Sequence, residues 1–64
     1  MYKKLIELRK LKKVSQKEVA NALGITKSAY SNYERNVREP SLQMLINICK
    51  SFDVSVDYLL GLEE

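Results

Sequence analysis

Ser15 to Arg35, SQKEVANALGITKSAYSNYER, is the stretch on which the fold turns. It opens with Ser15-Gln16-Lys17-Glu18, an S-x-x-E capping box in which Ser15 and Glu18 each satisfy a backbone group that a helix start leaves unpaired, so a helix begins at Gln16. Val19, Ala20 and Leu23 recur at helical spacing and form its buried face. Gly24 takes the left-handed conformation that ends a helix. Thr26 then caps a second helix running from about Lys27 to Arg35. At about 100° per residue with Lys27 as zero, Lys27, Ser31, Arg35, Ser28 and Asn32 fall between roughly 0° and 140°. Ala29, Tyr33 and Tyr30 fall between roughly 200° and 300°. One face is small, polar and basic, and the other is apolar and aromatic.

Two short helices joined by a tight glycine turn, the second with a face of short polar side chains, is what a helix entering the DNA major groove requires. Helix pairs of this kind also occur as packing units of small bundles, and geometry alone does not separate the two.

The rest of the chain supplies the support. A helix over Tyr2 to Lys12 places Leu5 and Leu8 on the core face, with Tyr2 and Leu11 continuing the stripe. Arg9 stands beside that stripe and requires an acid to meet it there. Lys3, Lys4, Lys10 and Lys12 read as a solvated surface, and Lys12-Lys13 suit the negative end of the helix dipole. Asn36-Val37-Arg38-Glu39 is a polar linker in which Asn36 adopts the left-handed conformation. Pro40 forbids helix before it and Ser41 caps a fourth helix, Leu42 to about Phe52, with Leu42, Leu45, Ile48, Cys49 and Phe52 as its apolar stripe. Cys49 reads as a buried structural thiol. Asp53-Val54 breaks the chain, Ser55 caps a short fifth helix over Val56 to Leu60, Gly61 ends it, and Leu62-Glu63-Glu64 reads as loose. No segment alternates with period two. The fold class is therefore all-α, five short helices in a single domain over residues 1–64.

With 64 residues every helix must contribute to one shared core, and no second functional module fits. One cysteine and no histidine leave neither an internal disulfide nor a usual zinc ligand set, so no metal or cofactor is expected. The start MYKKLIELRKLKK holds no signal peptide or membrane span, pointing to a cytoplasmic protein with no membrane partner. No small-molecule ligand is evident. Residues 1–39 carry ten Lys or Arg against four Glu, a net +6; residues 40–64 carry Lys50 against two Asp and two Glu, a net −3. The basic half contains the helix pair, and such polarity attracts a polyanion to one end.

The ordered set Leu5-x-x-Leu8-Arg9, Ser15-Gln16-x-x-Val19-Ala20-x-x-Leu23-Gly24-Ile25-Thr26, Ser28-x-x-Ser31-x-x-Glu34, Pro40-Ser41-Leu42-x-x-Leu45 and Val54-Ser55-Val56-Asp57-x-Leu59-Leu60 resembles the lambda-repressor-like (Cro-type) helix-turn-helix family. The resemblance implies a compact five-helix domain whose second and third helices form the helix-turn-helix. It implies base contacts from Lys27, Ser28 and Asn32 with Thr26 and Ser31 assisting, and phosphate contacts from Gln16, Lys17, Arg35, Asn36 and Arg38. Ser28 and Ser31 serve equally well as residues merely small enough for close approach. The resemblance also makes Arg9 and Glu34 a structural ion pair, which supplies the acid that Arg9 needs.

Departures from the family pattern are Lys13 and Asn36 where many members have Gly, and Tyr30 and Tyr33 in place of smaller aliphatics. The tyrosine hydroxyls are expected to reach the surface, where either can donate to a phosphate. No basic arm precedes the first helix, which speaks against minor-groove wrapping.

The function implied is a sequence-specific double-stranded-DNA-binding regulator, most often a repressor, acting as a homodimer through Val56, Tyr58, Leu60 and Leu62. The rival is a protein-interaction domain of the same fold, of antitoxin or adaptor type. RNA binding lacks an exposed aromatic platform, and catalysis lacks a base for any nucleophile.

Overall fold

Each helix begins where a short polar side chain can cap it. In the computed structural model, which describes residues 1–62, the helices are α1 (Tyr2–Lys12), α2 (Gln16–Leu23), α3 (Lys27–Glu34), α4 (Leu42–Phe52) and α5 (Val56–Leu60). Glu18 N–H donates to Ser15 Oγ at 3.1 Å while Ser15 N–H donates to Glu18 Oε1 at 3.1 Å, completing the capping box of α2. Thr26, Ser41 and Ser55 accept in the same way from Ala29, Met44 and Tyr58. Of the expected tail, Leu62 is exposed, and Glu63 and Glu64 lie outside the described residues.

All five helices also stop alike. A residue of positive φ follows each one: Lys13 (57°), Gly24 (72°), Asn36 (59°), Asp53 (57°) and Gly61 (77°). The next N–H then reaches back five residues, from Val14 to Arg9, Ile25 to Ala20, Val37 to Asn32, Val54 to Cys49 and Leu62 to Asp57. This closure satisfies carbonyls that the last turn would otherwise leave open. Arg35 N–H still bonds Ser31 O at 2.9 Å, so the end of α3 differs from the expected Arg35 by one residue only in how the cap is counted.

The core is Leu5 and Leu8 of α1, Val19 and Ala20 of α2, Tyr30 and Tyr33 of α3, Ile48, Cys49 and Phe52 of α4, and Leu59 of α5. The Tyr30 and Tyr33 rings meet edge to face at 6.4 Å between centroids. α2 packs on α3 and α4, while α1 crosses α3, α4 and α5.

Two expected core residues lie outside it. Leu11 is 73% exposed, because the stripe of α1 runs from Leu8 through Leu5 toward Tyr2, and Leu11 falls about 60° beyond Leu8 on the other side. Leu42 is also 73% exposed. As the first residue of α4 it stands outside the core boundary, which is reached only at Met44 and Leu45. Lys4, read as solvated, is half-buried and carries its ammonium 4.7 Å from the centroid of the Tyr58 ring, within cation–π range. No helix among the described residues is long and apolar enough to cross a membrane.

Candidate nucleic-acid interface

The polar face of α3 is open. Lys27, Ser28, Ser31, Asn32 and Arg35 line one shallow depression, with Lys27, Ser28 and Arg35 exposed and Ser31 and Asn32 half-buried. Arg35 Nη1 donates to Asn32 Oδ1 at 3.4 Å. That contact was missed in the sequence, although the i, i+3 spacing of Asn32 and Arg35 is its signal. Thr26 sits at the mouth of the helix with its Oγ1 accepting from Ala29 N–H, which leaves its hydroxyl hydrogen as the free donor.

What holds this face is a polar cluster beneath it. Arg9 Nε donates to Glu34 Oε2 at 2.7 Å and Arg9 Nη2 to Glu34 Oε1 at 3.2 Å, a two-point contact across α1 and α3. Arg9 Nη1 also donates to the Val14 carbonyl at 3.2 Å, and Gln16 Nε2 donates to Glu34 Oε1 at 3.0 Å. The carboxylate thus ties α1 and the start of α2 to the end of α3, and Arg9 extends the cluster to the turn after α1. Its side chain is 4% exposed against 19% for Arg9. Burial pushes the Glu34 carboxyl upward, but the hydrogen bonds from Arg9 and Gln16, with the Tyr30 hydroxyl close by, outweigh it and hold the group below its ordinary value. The Glu34 hydrogen bond raises Arg9 further, against the opposing effect of burial.

The Tyr30 hydroxyl lies within this cluster. The residue is 0% exposed, so its hydroxyl does not reach the surface and cannot serve a phosphate, which corrects the sequence expectation; the aromatic ring is long enough to reach Glu34 across the core instead. It feels the carboxylate but makes no hydrogen bond of acceptable geometry. Burial first, and Glu34 second, drive its acidity far below that of a free phenol. Tyr33 is 9% exposed.

Around the depression, Lys17, Asn36 and Arg38 are all exposed. Gln16 is half-buried and spends one amide hydrogen on Glu34, leaving the second, together with the backbone N–H groups that open α2. Val37, between Asn36 and Arg38, is an apolar side chain left 62% exposed. In and after α5, Val56 and Tyr58 pack partly against the core, whereas Leu60 and Leu62 are 44% and 70% exposed.

The helix-turn-helix family pattern matches residues 5–59, from within α1 through most of α5. The chain belongs to the helix-turn-helix family. It is similar to the uncharacterized HTH-type transcriptional regulator YqaE of Bacillus subtilis, at 52% identity over 88% of this chain and 48% of the relative. The HTH-type transcriptional regulator ImmR of the same organism is 42% identical over 97% of this chain and 49% of its own length. The chain thus spans about half the length of these curated relatives. Among solved structures, the P22 c2 repressor protein in complex with synthetic operator 9T superimposes with a TM-score of 0.88 at 29% identity, covering 97% of this chain and 94% of that one. The helix-turn-helix itself is α2 and α3, and the five-helix, all-α arrangement is the lambda-repressor-like one.

Proposed function

We propose that this helix-turn-helix chain is a transcriptional regulator, a repressor, that binds double-stranded DNA sequence-specifically through the major groove as a homodimer on a near-palindromic operator. The observation that carries the reading is the open polar face of α3, locked from below by Arg9, Gln16 and Glu34. A reading helix must be rigid on its far side and small on its near side, and α3 is both. Its likeness to a repressor solved with operator DNA supports the same reading. Lys27, Ser28 and Asn32 meet base edges, with Thr26 and Ser31 beside them, while Gln16, Lys17, Asn36 and Arg38 hold phosphates.

Pairing follows from size. One module buries about 600 to 1,000 Å² on DNA, too little for specific binding alone, and two copies reading half-sites about one helical turn apart solve this. Val56, Tyr58, Leu60 and Leu62 form the dimer face in this reading. The chain is a cytoplasmic binding protein and not an enzyme, and it uses no cofactor.

Selection of bound sequences from random duplexes, followed by footprinting, tests specificity and half-site spacing together. The expected outcome is a two-fold-related pair of protected half-sites. Binding that is indifferent to sequence would overturn the sequence-specific reading, and affinity that does not change with salt would instead point to a protein partner.

A further inference from the structure

Arg35 reads from the sequence as a phosphate contact, but its side chain does not extend toward the loop that follows α3. It folds back one turn to Asn32, with Nη1 3.4 Å from Oδ1, and joins Lys27, Ser28 and Ser31 in lining the polar depression. We propose that Arg35 and Asn32 together read a guanine, making Arg35 a specificity-determining residue rather than a backbone clamp. The proposal rests on the DNA-binding reading of α3 above.

Position comes first. Around the helix axis Arg35 falls at about 80° from Lys27, between Ser31 and Ser28 and near the middle of the polar face. Helical side chains lean toward the N-terminus and cover the turn before their own Cα, so the guanidinium lies over the Ser31-Asn32 turn. Ser28 and Ser31 are short enough to leave that space open. Among the described residues no acid forms an ion pair with Arg35, so its charge remains available.

Chemistry then sets the base. An asparagine amide by itself offers one acceptor and one donor, which matches adenine N6 and N7. Here the acceptor end is engaged by a guanidinium N–H, so what the pair turns outward is the Asn32 Nδ2 hydrogens and the remaining guanidinium hydrogens. With one of the two Oδ1 lone pairs taken, that surface is dominated by donors. Guanine shows two acceptors, O6 and N7, in the major groove, whereas adenine would set its N6 hydrogens against these donors. The contact between the two side chains therefore moves the preference of Asn32 from adenine to guanine. A phosphate clamp at the same position would carry no such information.

The test compares wild type, Arg35→Lys, Arg35→Gln and Asn32→Ala by selection from random duplexes, with circular dichroism to confirm the fold. Wild type is expected to prefer guanine over adenine by about tenfold or more at one position of each half-site. Arg35→Lys keeps the charge but loses the planar fork, and it should reduce that preference to within about threefold while the other positions keep theirs. Substituting 7-deazaguanine there should cost the wild type several-fold in affinity and the Arg35→Lys variant little. Arg35→Gln and Asn32→Ala should act non-additively on the guanine-to-adenine ratio.

The proposal is overturned if Arg35→Lys leaves every preference intact, or if Arg35→Gln weakens all sequences equally and lowers the salt slope by about one, the mark of a phosphate contact. A wild-type protein that selects no sequence at all removes the DNA-binding reading itself, a distinct result.

Discussion

Glu34 is nearly inaccessible and three residues converge on it, so single substitutions around it should be costly in unequal ways. Arg9→Met strands the carboxylate in the core and should cost about 3 kcal/mol, the lower end for breaking a buried pair because Arg9 is itself partly exposed. Replacing both members, as Arg9→Met with Glu34→Leu, should recover most of that loss, and denaturant unfolding of the single and double variants against wild type checks it. Because Arg9 holds α3 from behind, Arg9→Met at a temperature where it is still folded should leave operator affinity within a few fold. A large loss of affinity with an unchanged circular dichroism spectrum would make Arg9 a DNA contact instead. Tyr30→Phe should be neutral or stabilising by up to about 1 kcal/mol, since it removes a buried hydroxyl with no good partner. If that hydroxyl does bond Glu34, the substitution destabilises. The pH dependence follows from Glu34. Its folded value lies below the ordinary 4.5, so the unfolded chain takes up this proton first as the solution is acidified. The stabilisation is complete above about pH 4.5 and disappears as pH falls through the folded value. Thermal midpoints measured across that range should show a drop in wild type that is smaller in Glu34→Gln.

At the level of the helix, the ends are the best-determined features, and they were readable because their causes are local. Ser15 with Glu18, Thr26, Ser41 and Ser55 each act within three residues of themselves, and all four caps form. Exposure is a different matter, because it depends on where neighbouring helices stop. Leu11 and Leu42 have the right spacing for a core stripe and still face solvent, since no partner helix extends over them. The same reasoning explains the site. That Arg9 needed an acid was evident from its place beside the stripe, whereas the convergence of Gln16 and Tyr30 on that acid depends on how α2 and α3 cross. The helix stops also supply a test of backbone strain. Gly24 has φ of 72° and a Cβ there would touch nothing within 4 Å, so Gly24→Ala costs only the left-handed conformation, about 1 to 2 kcal/mol. Lys13 occupies the same conformation with a full side chain, so Lys13→Gly should stabilise by up to about 1 kcal/mol. Thermal unfolding of the two variants should move in opposite directions, and a loss in both would mean that Lys13 makes a contact outweighing its strain.

Across the whole molecule, charge and apolar exposure divide between two ends of the chain. The net +6 of residues 1–39 includes α2, α3 and the loop with Arg38, while residues 40–64 are acidic overall and include the exposed Leu60 and Leu62. Leu60 and Leu62 leave apolar surface exposed at and just after α5, so in the proposed dimer the C-terminal side is the natural place for two copies to meet, with both α3 helices left for DNA. Two measurements separate the ends. Replacing Leu60 and Leu62 by Asp should shift sedimentation toward monomer and weaken binding to a full site, yet leave the weak binding to a single half-site nearly unchanged. Salt should act on the other end: a dimer neutralising about six phosphates loses roughly a thousandfold in affinity between 50 and 200 mM salt, and the Asp variant on a half-site should lose far less because it neutralises fewer. If wild type stays monomeric at high concentration, with and without operator, and the Asp variant binds full sites as well as wild type, then the C-terminal face is not the dimer interface and the exposed leucines must be explained by another partner.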